Sequence, residues 1–385
     1  MKKLLFSLVC LLIFSPIGEM ASAEHLEELK LTSEAAVLMD SQSGTLLFGK
    51  NEEKRMYPAS LTKIATAIYA IETGVIDDVV TISKRAVMAD GTRVYLNEGE
   101  KVPLGKLIEG MLVNSGNDAA IAIAEHLDGS VEQFSANINN YLSETVGTKG
   151  THFTNPNGLF DEHHYTTAAD LGLITNHAMK DPLFREIFGK KTLKWKGESW
   201  ETVLHSHHRL LKGEIPFEGV TGGKTGFVNE AKQTLATTAD NGGIKLTAIV
   251  LKADFKRDIY QDTMNLIDFG FAHFKTGLLY ESSLFNETET SFTLLEDTFI
   301  TEPVTGSVKS VSEDGWLTVE NDNGEVIQTV KLEPSEVEKK VKKENTQKTV
   351  EKSSILDINP VLGLAFIAAC IFLVLAVRRP RRKRR

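Results

Sequence analysis

The sequence predicts an α+β fold: an antiparallel sheet with helices on both faces and a helical subdomain, followed by a small all-β domain and a C-terminal transmembrane helix. Three observations carry this expectation. Strand-like runs stand at both ends of residues 24–276 and enclose a long helical middle. Short alternating runs separated by Gly, Asp and Asn turns follow at 277–334. The apolar run VLGLAFIAACIFLVLAV at 361–377 then ends in basic residues. Strands shared by the two ends of a region, with helices between them, describe a sheet covered by helices.

The chain opens on an export signal. Lys2 and Lys3 precede the apolar LLFSLVCLLIF, and Ala-Ser-Ala at 21–23 has the small residues of a cleavage site. Cleavage after Ala23 is expected, with an uncleaved anchor as the alternative. Within 34–50, AAVLMD and TLLFGK flank a Ser-Gln-Ser-Gly turn and read as paired strands. YPASLTKIATAIYA at 57–70 begins an apolar helix. PLGKLIEGMLV and DAAIAIAEHL are helical segments interrupted by Asn-Ser-Gly-Asn. Helical periodicity returns at 131–146 and 167–179. GGKTGFV, QTLATTAD and KLTAIVLKA read as strands, and a helix at about 258–274 closes the domain.

The later segments have other characters. Residues 335–357 are polar and charged and form a spacer. Residues 358–377 are expected to span a membrane, since 17 apolar residues at 361–377 extend about 25 Å as a helix and flanking arginines snorkel. The seven cations in 378–385 place that tail in the cytoplasm and the rest of the mature chain outside. The formal charge is -9; the tail holds +7 and the signal region +1, which leaves -17 on residues 24–377. Such an acidic domain lacks the cations that nucleic acid requires. Cys10 and Cys370 lie in the two apolar end segments, so the exported domain has no disulfide.

Three short motifs carry chemistry. Ser60-Leu61-Thr62-Lys63 puts a hydroxyl and an amine three residues apart, on one helical face. The serine is either a helix cap or a nucleophile whose proton the lysine takes. Ser115-Gly116-Asn117 lies between two helices, where capping and a catalytic role are both open. Asn114 and Asp118 read as turn and cap residues. Lys224-Thr225-Gly226 is not a phosphate loop, because it leads into a strand. Gly226 lets a ligand approach the strand, while Lys224 and Thr225 offer a cation and a hydroxyl to an anion. An edge-strand lysine that opposes aggregation is the alternative.

With spacings of 52 residues from Lys63 to Ser115 and 109 from Ser115 to Lys224, the sequence resembles low-molecular-mass penicillin-binding proteins. These are serine-type D-Ala-D-Ala carboxypeptidases of the serine β-lactamase-like superfamily. The resemblance runs from about Ala35 to Gly270 and includes FTNPNGL and HYTTAADLGLI. It implies a β-lactamase/transpeptidase-like fold for the domain at 24–276 and catalytic roles for Ser60, Lys63 and Ser115. It implies substrate-binding roles for Asn117, Lys224, Thr225, Gly226, Phe227 and Arg257, with the amides of Ser60 and Phe227 as the oxyanion hole. No cofactor or metal is implied. The expected partners are the peptidoglycan pentapeptide stem, β-lactam antibiotics as inhibitors, and the lipid bilayer through the C-terminal helix.

Several residues depart from the family pattern. His208 stands where asparagine is usual, Asn157 where histidine is common, and Glu230 to Thr234 replace the customary acidic, Ala-Gly and aromatic wording. These bear on substrate preference and rate more than on reaction class. The 230s resemble sporulation-associated as well as vegetative members. The alternatives are a serine β-lactamase, a D,D-endopeptidase and a non-catalytic wall-binding scaffold. A zinc site among His163, His164, His205, His207 and His208 has no support in their spacing. Asp161 and Glu162 sit in carboxypeptidase wording rather than that of a water-activating glutamate.

Overall fold

The structure is a computed structural model and describes residues 29–280, 285, 291–294 and 297–335. The expected signal peptide, the spacer, the span at 358–377 and the basic tail lie outside the described residues. Among the described residues, no helix is long and apolar enough to cross a membrane.

The elements that build the site are β1 (Ala35–Asp40), β2 (Leu46–Lys50), α1 (Thr62–Thr73), α2 (Leu104–Val113), α3 (Asn117–Asp128), α4 (Ala168–Ala178), β3 (Val220–Val228), β4 (Lys232–Asp240), β5 (Lys245–Ala253) and α5 (Lys256–His273). The strands form one antiparallel sheet in the order β2-β1-β5-β4-β3. Its central pair joins the two ends of the domain, from Ala35 opposite Leu251 to Asp40 opposite Leu246.

Why β1 is apolar from Ala35 to Met39 follows from its position. All six of its residues are buried, because helices cover both faces of the sheet. Ala35, Val37 and Met39 face the core built by α1, α2, α3 and α4. Ala36 and Leu38 alternate to the other face, against Leu266 and Ile267 of α5. Each fully buried Leu or Ile contributes about 1.5–3 kcal/mol relative to exposure. β3 is an edge strand that pairs only with β4 within the sheet. Its other edge is left for the site.

Not foreseen were two strand pairs, Val79–Thr81 with Lys101–Pro103 and the hairpin Thr192–Lys196 with Glu201–His205, and the short helices Lys84–Val87, Pro182–Phe188 and Arg209–Lys212. Phe274–Leu279 follows α5 directly, crosses the expected boundary after 276, and pairs with Thr298–Pro303. A three-stranded sheet, Val308–Val311, Trp316–Glu320 and Val326–Lys331, completes most of the β module. Leu279, Phe285, Ile300, Leu317 and Val319 belong to its own core. Asp40, fully buried at the end of β1, fastens this module to the main sheet. Its Oδ2 accepts hydrogen bonds from Thr276 at 2.6 Å and Thr301 at 2.8 Å.

Candidate active site

Ser60 occupies a 3-10 turn, Ala59–Leu61, immediately before α1. Its side chain caps neither this turn nor the helix, so the capping explanation does not apply. Three residues per turn stack Lys63 over Ser60, and Nζ lies 2.9 Å from Ser60 Oγ. Lys63 is fully buried and also donates to the Asn157 carbonyl at 2.6 Å. Burial and the nearby Lys224 charge hold its pKa well below the ordinary lysine range, while Asp118 opposes the shift. A lysine whose charged form is disfavoured in this way more readily offers a lone pair with which to take a hydroxyl proton.

The turn is held by side chains with no direct part in the motif. Ala59 has φ 50°, the left-handed region that an L-residue adopts at a cost of about 1–2 kcal/mol. Thr62 Oγ1 donates to Ala59 O at 2.9 Å, and His164 Nε2 bonds Thr62 Oγ1 at 2.8 Å. The Thr154 amide donates to His164 Nδ1 at 3.0 Å, which leaves the ring proton on Nε2. Burial pushes the His164 pKa down to about 3, so the ring stays neutral and the chain of donors keeps one direction. Gly158, at φ 81°, closes over the same carbonyl; a Cβ there would lie 1.8 Å from Ala59 O.

Ser115 stands in the break between α2 and α3, with φ 63° and little exposure. Lys224 Nζ donates to Ser115 Oγ at 2.9 Å and to Thr225 O at 2.9 Å. Burial pushes the Lys224 pKa down to about 7. The structure thus brings all three motifs together: β3 carries Lys224 against the α2–α3 break, and α1 carries Lys63 beneath both.

Asp118 is more than a local cap. Its carboxylate accepts from the amides of Val94, at 2.9 and 3.1 Å, Leu96, at 3.2 Å, and Ala119, at 2.9 Å. This ties the 94–96 loop to the start of α3. Asn117 Nδ2 donates to Asp90 O at 2.6 Å, and its buried Oδ1 has no partner among the described residues. A buried amide oxygen left unpaired is costly unless a further group supplies the bond.

On β3, a Cβ at Gly226 would lie 2.9 Å from Ser60 N and 2.3 Å from Thr234 Oγ1. Only glycine lets this edge strand lie against the serine turn. Thr234 Oγ1 also donates to Pro58 O at 3.0 Å and fixes the approach to that turn. Thr225 sits between Lys224 and Gly226, and the Phe227 ring is exposed. Arg257 is not drawn into this cluster: its side chain is 88% exposed and Nε donates to Asp258 at 3.0 Å.

The remaining sequence departures have local explanations. His208 is buried, bonds Thr237 Oγ1 at 2.8 Å and accepts from Leu211 N at 3.1 Å, capping the short helix Arg209–Lys212. The Asn157 Oδ1 accepts from Leu159 N at 3.1 Å, while its carbonyl holds Lys63. Asp161 accepts from His163 N, and exposed Glu162 pairs with His163 at 3.4 Å. Among the described residues no group of three or more His, Cys, Asp or Glu is arranged to hold a metal ion.

The family model for peptidase S11, D-alanyl-D-alanine carboxypeptidase, matches residues 20–255. The chain belongs to that family. It is 32% identical over 291 residues to the D-alanyl-D-alanine carboxypeptidase DacF of Bacillus subtilis, covering 73% of this chain and 74% of that one. It is 32% identical to DacA of Haemophilus influenzae, over 64% of each chain. The solved structure of penicillin binding protein 5 from Haemophilus influenzae superposes with a TM-score of 0.69 and 27% identity. That match covers 79% of this chain and 97% of the other. The α+β fold is therefore that of the S11 penicillin-binding proteins.

Proposed function

We propose that this S11 member is a membrane-anchored D-Ala-D-Ala carboxypeptidase that trims the terminal D-alanine from peptidoglycan pentapeptide stems. The observation that carries this reading is the bond between Ser60 Oγ and a fully buried lysine amine whose proton affinity is lowered. Ser60 Oγ attacks the carbonyl between the last two D-alanines, and neutral Lys63 receives its proton. The amides of Ser60 and Phe227 face the developing oxyanion. Ser115, bonded to Lys224, relays a proton to the departing amine. Lys224 and Thr225 bind the terminal carboxylate, with Arg257 reaching it only after its exposed side chain leaves Asp258. Asn117 bonds the substrate peptide through its side-chain amide, and its unpaired Oδ1 supports that role. Water then releases the acyl group.

The same serine takes β-lactams. A fast β-lactamase needs a carboxylate that activates the deacylating water, but Asp161 and Glu162 are engaged with His163 in an outer turn. A persistent penicilloyl-enzyme is the expected product. The export signal, the span at 358–377 and the basic tail support an ectodomain outside the membrane. The domain at 24–276 carries the chemistry, and the module at 277–334 and the spacer at 335–357 hold it off the lipid. Labelled penicillin tests the covalent step: the native protein is marked and Ser60→Ala is not. Undiminished labelling of S60A removes Ser60 from the reaction.

A further inference from the structure

One end of the main sheet opens on a cavity of about 650 Å³. Ser41 and Gln42 leave β1 there, Asp240 ends β4 and Lys245 begins β5. Asp297 and Phe299 close the cavity from the β module. The nucleophile is elsewhere. Thr221, on the cavity wall, stands five residues before Gly226, which lies against Ser60, so roughly 16 Å of extended strand separates the two places.

Three cations from separate segments line this cavity. Lys180 follows α4, Arg185 lies in the helix Pro182–Phe188, and Lys245 opens β5. None forms an ion pair among the described residues, and neither do Asp240 and Asp297 on the same wall. Arg185 is held in place: Nη1 donates to Met179 O at 2.7 Å and to Lys180 O at 2.8 Å. Its Nη2 and Nε have no partner among the described residues, and a fixed guanidinium fork matches the oxygens of a phosphate or carboxylate. Thr221 is the extra residue of a β-bulge, because Val220 pairs with Ala239 and Gly222 with Thr238. A bulge re-aims a side chain. Here it sets Thr221 on the wall, where Oγ1 donates to buried Thr238 at 2.9 Å.

The mixture of groups selects the ligand. The three cations call for an oxyanion. Two carboxylates beside them disfavour a bare polyanion, because an ionised carboxylate only accepts hydrogen bonds. Hydroxyl groups are what those carboxylates can hold. Asp240 Oδ1 accepts from the Gly242 amide at 2.8 Å, and Oδ2 has no partner among the described residues. The Gln42 side-chain amide is also without one among them and adds a donor and an acceptor. Phe299 and Met179 supply an apolar patch, and the volume lies within the range of small-ligand sites. A peptide of mixed charge would also need backbone partners, whereas this wall offers hydroxyls and a side-chain amide.

We infer that this cavity binds a phosphorylated saccharide: Lys180, Arg185 and Lys245 hold the phosphate, Asp240, Asp297 and Gln42 take the hydroxyls, and Phe299 carries the sugar ring. Asp297 and Phe299 come from the module and the cations from the catalytic domain, so the ligand bridges the two. The module thereby takes part in recognition, through a site that uses no step at Ser60.

Isothermal titration of the full chain in detergent tests this with N-acetylglucosamine 1-phosphate, N-acetylglucosamine and inorganic phosphate. The sugar phosphate binds at one site per chain, about tenfold or more tighter than either of its halves. Arg185→Gln and Lys245→Gln each weaken it by about tenfold or more. Asp297→Asn weakens the sugar phosphate without weakening inorganic phosphate. Lys245 is exposed at a strand end, so K245Q keeps the native unfolding curve and reads the site even where R185Q disturbs the helix that Arg185 ties down. Equal affinities for the sugar phosphate and inorganic phosphate reduce the cavity to an anion patch and overturn the assignment, as does native affinity in K245Q. Tighter binding of an acidic tripeptide overturns it in favour of a peptide site. S60A binds the sugar phosphate as the native chain does; loss of binding in S60A moves the ligand to the cleft and overturns it too.

Discussion

Replacing Thr62 with valine keeps the shape at the start of α1 and removes one hydroxyl. That hydroxyl is the middle of the chain His164–Thr62–Ala59. T62V leaves the His164 Nε2–H without its partner in buried surroundings, while the Ala59 carbonyl keeps only the Thr62 backbone N–H. That orphaned donor costs about 1–3 kcal/mol before relaxation. Ala59 also loses a restraint on a backbone state that is itself unfavourable by about 1–2 kcal/mol. If the turn relaxes, Ser60 shifts relative to Lys63, and a misplacement of about 1 Å costs roughly a hundredfold in rate. T62V therefore melts earlier and acylates slowly, whereas T62S keeps the hydroxyl and stays within a few-fold of the native rate. The assay is penicillin acylation, followed well below the melting transition, alongside a thermal unfolding curve. A destabilised T62V that acylates at the native rate refutes the reasoning and leaves the chain a purely structural role.

Lys224→Ala removes a charge-assisted contact and should cost about 1.5–3 kcal/mol, or roughly ten- to over a hundredfold in kcat/KM for carboxypeptidase turnover. Hydrolysis of a small neutral ester falls much less; an equal loss on both moves Lys224 wholly into proton transfer. Acid stability has a defined sign. Burial holds His164 and His208 at about 3, whereas unfolded histidines titrate near the ordinary value of 6.5, so the unfolded state binds more protons between these limits. Stability contributed by the neutral rings is present above about pH 6.5 and is lost towards about pH 3, and denaturant midpoints measured over that range should fall. Midpoints that stay flat contradict it. Finally, protease added to intact protoplasts should remove the ectodomain and leave a small membrane-protected C-terminal fragment; full protection of the ectodomain contradicts the topology.

What was legible in the sequence follows periodicity and local chemistry. The apolar run of β1 from Ala35 to Met39 and the strands at 220–253 indicated a sheet shared by the two ends of the domain, and their antiparallel pairing agrees. The Ser60–Lys63 and Ser115–Lys224 contacts follow motifs that the sequence displays openly. Other features depend on contacts distant in the chain and have no local signal. Nothing around residue 62 shows that its hydroxyl meets a histidine 102 positions away. Asp118 reads as a cap, because the amides it accepts lie 22 and 24 residues before it. The hairpin at 192–205 was missed although Trp195 is buried, since KTLKWKGESWETVLH is mostly polar and its strands are short. Arg257 was placed by resemblance, and its exposed side chain shows how little motif position says about a long, solvated residue.

The most direct measurement is mass spectrometry of the purified protein incubated with a pentapeptide stem ending in D-Ala-D-Ala. A product lighter by one D-alanine residue, together with free D-alanine, is expected from the native protein and not from S60A. An unchanged pentapeptide, or the same product from S60A at the native rate, contradicts the central claim.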